Sequence, residues 1–213
     1  MASLRPPAEL ELATRPAAIV IGVSTGGPQA LPVVLNGLAS IMAQVPVLIA
    51  LHIPPEFTRT VAARIEAQTG QPTRLAEDGE EIRPGYAYLS PGDRHMSIAR
   101  KGETVIIRLL DTPPENFCKP SVDVLFRSAV DTFGAAVIGV VLTGMGSDGL
   151  AGTRAIVAAG GIVVAQDAAS SVVWGMPRLV ASEGLALAVL PLKEIGAWVC
   201  RLVRQSQYRE RKS

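Results

Sequence analysis

Apolar residues along this chain fall into two rhythms. Short continuous runs rich in β-branched residues at 17–23 (AAIVIGV), 45–51 (VPVLIAL) and 135–142 (AAVIGVVL) read as strands buried on both faces. Between them, residues 30–38 and the set Phe57, Val61, Ala62 and Ile65 carry helical spacing. Val122, Leu125, Phe126, Ala129, Val130 and Phe133 do the same, after Ser121 as a candidate N-cap. Further strands are predicted at 161–165 and 185–190, and a helix from the 143–149 loop to about residue 159. Leu192, Ile195, Val199, Leu202 and Val203 close the chain as an amphipathic helix. The middle differs: 86–89, 96–99 and 104–108 are short, closely spaced and separated by Pro-Gly or Lys-Gly turns, which predicts antiparallel hairpins. Elsewhere strands alternate with helices, so the expected architecture is α/β, a doubly wound sheet with parallel pairing and right-handed crossovers.

Composition narrows this picture. A chain of 213 residues suits one domain, and 48% hydrophobic residues with only 4% aromatics require an aliphatic core. Twenty basic residues against nineteen acidic ones leave no overall field to attract nucleic acid. No apolar run reaches the ~18 residues that a bilayer span needs. Residues 1–16 carry Glu9 and Glu11 and lack an apolar signal core, so they read as a flexible leader, with a catalytic domain at 17–205 and a basic tail at 206–213. Cys118 and Cys200 lie far apart, as reduced thiols of a cytoplasmic protein would. Two histidines and no clustered carboxylates do not make a metal site.

Open α/β sheets place their sites beyond the carboxyl ends of the strands. Three such ends here carry reactive side chains: Ser24, His52 and Asp148. Gly22-Val23-Ser24-Thr25-Gly26 has the G-x-S-x-G form between strand and helix, where glycines permit a sharp turn and free helix-start amides can stabilise an oxyanion. An ordinary glycine-rich βα turn would look the same. The order Ser, His, Asp also differs from the Ser, Asp, His order of α/β-hydrolases. His52 follows its strand directly and precedes Ile-Pro-Pro; the other histidine, His95, falls in the hairpin region. An imidazole can take the serine proton and return it to the leaving group, which favours His52 as base over a strand-end residue with a satisfied ring. Asp148, in a loop with Gly144, Gly146 and Gly149, would fix the imidazole, or else cap the following helix.

One rival uses the same loop. Residues 144–149 form G-x-G-x-x-G after a strong strand, with Asp167 beyond the next one, which approaches a dinucleotide fingerprint. A nucleotide-binding regulatory module is therefore the alternative reading. Against it, Asp148 would set a negative charge beside the pyrophosphate, and Ser24 and His52 would have no role. Cys118 as a nucleophile would need a basic or histidine neighbour, and Lys119 alone is visible.

With these residues in view, the chain resembles the catalytic domain of the chemotaxis protein-glutamate methylesterases. The matching stretches are IGVSTGGP at 21–28, HIPPEFT at 52–58, AEDG at 76–79, PGDRHM at 91–96, PSVDVLF at 120–126, LTGMGSDG at 142–149 and GMPR at 175–178. The resemblance covers roughly residues 17–203. It implies a three-layer α/β/α fold with a mainly parallel sheet, and a triad falling on Ser24, His52 and Asp148, with Thr25, Gly26 and Met145 in the oxyanion and substrate-binding parts of the site. It further implies hydrolysis of glutamyl methyl esters on chemotaxis receptors, deamidation of receptor glutamines in some members, and no cofactor. Two departures stand out. The leader is too short for the receiver domain that typically precedes this one, so a stand-alone domain without phosphorylation control in cis is expected. Asn116-Phe117-Cys118-Lys119-Pro120-Ser121 also replaces a more basic loop, which bears on receptor preference.

Overall fold

The computed structural model describes residues 14–210, with side chains as far as 206. Most of the leader expected at 1–16, and residues 211–213 of the expected tail, lie outside the described residues. The strands are, in chain order, β1 (Ala18–Val23), β2 (Val47–Leu51), β3 (Thr73–Leu75), β4 (Ala87–Leu89), β5 (His95–Lys101), β6 (Thr104–Leu110), β7 (Val137–Val141), β8 (Ile162–Gln166) and β9 (Ala188–Leu190). The helices are α1 (Gly27–Met42), α2 (Pro55–Thr69), α3 (Val122–Phe133), α4 (Leu150–Ala158), α5 (Met176–Ser182) and α6 (Leu192–Glu210). Seven strands form one parallel sheet in the order β3-β4-β2-β1-β7-β8-β9, and β5 and β6 form a separate antiparallel hairpin.

Helices cover both faces of the sheet, as the continuous apolar strands require. Along β1 the side chains alternate between two cores: Ile19, Ile21 and Val23 face α1, α2 and α6, whereas Ala18 and Val20 face α3, α4, α5 and the hairpin. On the first face α1 and α6 cross at backbone contact, because Gly37 and Gly196 leave no room for a side chain between them. On the second face α3 sits directly on β1: any side chain at Gly22 would run into Val122. Gly152 does the same between α3 and α4, where a Cβ would lie 2.5 Å from that of Phe126.

One expectation needs correction. Residues 86–89 are not part of a hairpin; β4 joins the parallel sheet between β3 and β2, and all three of its residues are buried. Three residues are too few to display a period, so the turn-rich surroundings misled. The short edge strand β3, with only Thr73 buried, and α5, just under two turns long, leave equally little periodic signal. The closing helix also runs on through 206–210, the first part of the expected basic tail.

Candidate active site

The chain runs from β1 outward through β2 to β3, returns to β4, and then crosses to β7 on the other side of β1. The switch point of the sheet therefore lies between β1 and β7, where doubly wound folds open a crevice. Ser24, His52 and the 143–149 loop leave the carboxyl ends of β1, β2 and β7, three adjacent strands. Val23 pairs with Leu51, and the His52 amide donates to the Val23 carbonyl at 3.0 Å, so Ser24 and His52 emerge at matching levels. On the other side the Ser24 amide donates to the Thr143 carbonyl at 3.0 Å.

The turn after Ser24 requires its glycines. Gly26 adopts φ 86°, and α1 begins at the next residue, with the Gly27 amide closing the turn onto the Ser24 carbonyl at 2.8 Å. Gly144 lies against the serine, since a Cβ there would stand 2.7 Å from that of Ser24. Thr143 locks the elbow from below: its hydroxyl donates to the Thr25 carbonyl at 2.9 Å and accepts from the Val173 amide at 3.0 Å. Its own amide donates to Gln166 Oε1 at 2.8 Å.

Asp148 is buried and has five donors on two oxygens. Oδ2 accepts from His52 Nε2 and from the Val122 amide, both at 2.7 Å. Oδ1 accepts from the Ser121 hydroxyl at 2.8 Å and from the amides of Gly149 and Asp123 at 2.9 and 3.0 Å. Burial opposes its charge, but the hydrogen bonds from His52, Val122, Asp123 and Ser121 outweigh it and hold the carboxyl below the ordinary carboxylate range. The Val122 and Asp123 amides belong to the first turn of α3, so the carboxylate also lies at the positive end of that helix. This revises the expected role of Ser121. It occupies the N-cap position of α3, but its hydroxyl binds Asp148, and the Asp148 carboxylate satisfies the helix amides instead.

A second carboxylate lies behind the first. Asp123 is fully buried, accepting from the Gly152 amide at 2.5 Å and from Asn116 Nδ2 at 2.8 Å. Burial, reinforced by the charge of Asp148 and only partly offset by the Gly152 hydrogen bond, raises its carboxyl to about 6.

The two histidines separate cleanly. His95 is fully buried with both ring nitrogens committed: Nδ1 accepts from the Ser121 amide at 3.0 Å, and Nε2 donates to the Pro113 carbonyl at 3.1 Å. It fixes the loop ahead of α3 and has no nitrogen to offer a substrate. His52 has Nε2 on Asp148 and Nδ1 uncommitted. Among the described residues no hydrogen bond joins Ser24 to His52, a looseness common in active sites without substrate.

Cys118 also arrives here. A tight turn with Asn116 at φ 49° and Phe117 at φ 62° brings the loop back on itself, with paired backbone hydrogen bonds between Glu115 and Cys118. Burial, together with the charges of Asp148 and Asp123, pushes the Cys118 thiol up to about 11, so it is protonated at neutral pH and a poor nucleophile.

Of the remaining predicted residues, Thr25 is exposed on the elbow, Gly26 is half-buried beneath Val172, and Met145 stands out 74% exposed on the aspartate loop. Met145 belongs to a rim. Among the described residues, four of the five exposed large apolar side chains are Met145, Phe117 beside Cys118, Val172 against the elbow, and Phe57 in the first turn after His52. The nucleotide alternative loses its main group, because the Gly149 amide that would meet a phosphate already donates to Asp148. Asp167 is likewise taken, by the Ser170 amide and hydroxyl at 3.0 and 2.6 Å. Sequence reasoning passed over Asp123 and Thr143, and read Ser121 only as a helix N-cap. The Ser-x-Asp spacing at the start of α3 was the one available signal.

Comparison with known proteins bears on this arrangement. The family model described as CheB methylesterase matches residues 19–199. The chain is 51% identical over 187 residues to the protein-glutamate methylesterase/protein-glutamine glutaminase of group 2 operon from Bradyrhizobium diazoefficiens, covering 88% of this chain and 47% of that protein. It is 50% identical over 189 residues to a protein-glutamate methylesterase/protein-glutamine glutaminase of Rhodopseudomonas palustris (strain BisB5), covering 89% of this chain and 49% of that one. The chain thus spans about half the length of the curated relatives it matches. The crystal structure of the Thermotoga maritima CheB methylesterase catalytic domain superposes with a TM-score of 0.84 at 35% identity, covering 89% of this chain and 98% of that one.

Proposed function

The chain belongs to the CheB methylesterase family, and we propose that it hydrolyses glutamyl methyl esters on chemotaxis receptors, releasing methanol and restoring the carboxylate. The observation that carries this reading is the convergence of Ser24, His52 and Asp148 on the ends of three adjacent strands at the switch point of the sheet. Ser24 Oγ attacks the ester carbonyl while His52 Nδ1, the ring nitrogen not engaged by Asp148, takes its proton. Asp148 orients the ring and stabilises the imidazolium; because its own carboxyl is held low, it stays ionised throughout. The amides of Thr25 and Gly26, at the positive end of α1, receive the oxyanion. The imidazolium then protonates the departing methanol, and water, activated by the same nitrogen, releases the glutamate.

Glutamine deamidation, the second activity in the relatives' printed names, needs the same attack with ammonia leaving in place of methanol. The apolar rim of Phe57, Phe117, Met145 and Val172 suits a protein surface better than a small soluble ester. We place the catalytic unit at 17–205 and the protein in the cytoplasm, a setting that suits its two free thiols. Among the described residues no helix is long and apolar enough to cross a membrane.

The test is methanol release from a methylated receptor cytoplasmic fragment. Ser24→Ala is expected to lower kcat by about 10⁴-fold or more, with the fold intact. A Ser24→Ala protein with near-parental activity would sink the nucleophile assignment.

A further inference from the structure

Three residues distant in sequence bring three different donor atoms together at the base of the crevice. A ring nitrogen of His52, Sγ of Cys118 and a carboxylate oxygen of Asp148 all lie within 4.8 Å of one another. We propose that this trio is an inhibitory binding site for a thiophilic divalent cation of the zinc class.

The donor set argues for that class. Imidazole, thiolate and a single carboxylate oxygen are the ligands of zinc and its neighbours, whereas magnesium and calcium require shells built of oxygen. Ligand atoms around tetrahedral zinc stand roughly 3–4 Å apart, given bonds of about 2.0–2.3 Å. His52 Nε2 and Asp148 Oδ2, at 2.7 Å, would open slightly, and Cys118 would close by a side-chain adjustment of about 1 Å. The surroundings favour a cation. Asp148 and the buried Asp123 both set negative potential at the sulfur. Asp148 is held rigidly by Ser121, Val122, Asp123 and Gly149, which fixes one ligand in advance. His52 keeps 15% of its side chain exposed and Cys118 is half-buried, so a hydrated ion has a way in.

The exchange balances simply. The metal takes the Nε2 lone pair, an Asp148 oxygen lone pair and the Cys118 thiolate, and the thiol proton leaves to solvent. The imidazole stays neutral because it changes tautomer: the Nε2 proton that Asp148 accepted is lost to solvent and Nδ1 takes one up, and a fourth position remains for water. That Nδ1–H can no longer accept a proton from Ser24, so bound metal silences the esterase. This last step rests on the proposed catalytic role of His52; the binding itself does not.

The experiment uses the full chain and cobalt(II) as a spectroscopic probe, with zinc competition and magnesium as control. The expected result is a sulfur-to-cobalt charge-transfer band, abolished by zinc, untouched by excess magnesium and lost in Cys118→Ser. Cobalt affinity in that variant should fall by at least the roughly 10- to 100-fold that losing even an outer-shell partner of a metal site costs. Absence of the band overturns the proposal. So does a band that survives Cys118→Ser, which would assign the sulfur to Cys200, buried on α6 against the Gly37 carbonyl of α1. Zinc should also stop methanol release by the parent chain over the same concentration range. A Cys118-dependent band without loss of methanol release would uphold the metal site and overturn His52 as the base.

Discussion

The two faces of the sheet are built from different materials. Under α1, α2 and α6 the core is aliphatic with Trp198 at its edge, and the closest approach of helices is a glycine-to-glycine contact at Gly37 and Gly196. Under α3, α4 and the β5–β6 hairpin the chain buries Asp123, Asp148, Ser121, His95, Ser128 and Thr153 alongside its aliphatic residues. Burying such groups costs free energy unless each finds a partner. Here most do, because α3 points the amides of its first turn at Asp148 and Asp123 receives Gly152 and Asn116. The first face holds the sheet together through apolar burial. The second gives up some apolar burial to hold a carboxylate rigid and charged beside a histidine.

That division predicts different failures on the two faces. Asp148→Asn should bring the largest loss. Methanol release should drop by about 10⁴-fold, as the imidazole loses its orienting charge. The melting temperature should fall as well, because an amide nitrogen replaces one of two oxygens that between them accept five hydrogen bonds. Activity loss with an unchanged melting temperature would show that Asp148 does not cap α3.

Leu202→Ala probes the other face. Leu202, on α6, is buried in the first-face core, and its truncation should cost about 2–5 kcal/mol in a denaturant titration. The kcat of the folded fraction should stay at the parental value. A fall in kcat comparable to that of Asp148→Asn would break the division of labour.

Asp123→Asn is the finest test. A carboxyl raised to about 6 binds its proton more tightly when folded than when unfolded, near 3.8. Its contribution to stability is therefore complete below the unfolded value and is lost as pH rises through about 6. The groups bearing on it are Asp148, Arg127, Glu115 and the Gly152 amide. The variant should be more stable than the parent at neutral pH by something on the order of 1–3 kcal/mol, and the gap should close toward pH 4. Asp148 titrates in the opposite sense, contributing stability above its ordinary value and losing it as pH falls below, so the acid limb belongs to that residue. A gap that does not change with pH would mean that Asp123 stays in one protonation state throughout.

Much of the fold was legible because its central strands are continuous apolar runs and its long helices keep strict spacing. The expected strands at 17–23, 45–51 and 135–142 contain β1, β2 and β7, the three that carry the site. What escaped was short or polar. β3 has a single buried residue, β4 is three residues long between turns, and α5 is under two turns. Ser24, His52 and Asp148 were visible as reactive groups at strand ends, but Ser121 read as an ordinary N-cap and Cys118 as an ordinary loop thiol. Nothing local to either residue reports that it meets Asp148.

The sequence alone therefore determined the layered α/β architecture and the strand-end positions of Ser24, His52 and Asp148, since both follow from local periodicity and turn chemistry. Only the tertiary structure decided which histidine has a free nitrogen, which hydroxyl and amides hold Asp148, and that Cys118 shares its corner with His52. Those outcomes depend on α3 lying across Gly22, on the switch of the chain from β4 to β7, and on a turn that carries residues 116–118 back over the crevice. Contacts between residues so far apart in the chain are set by packing, which no local pattern encodes.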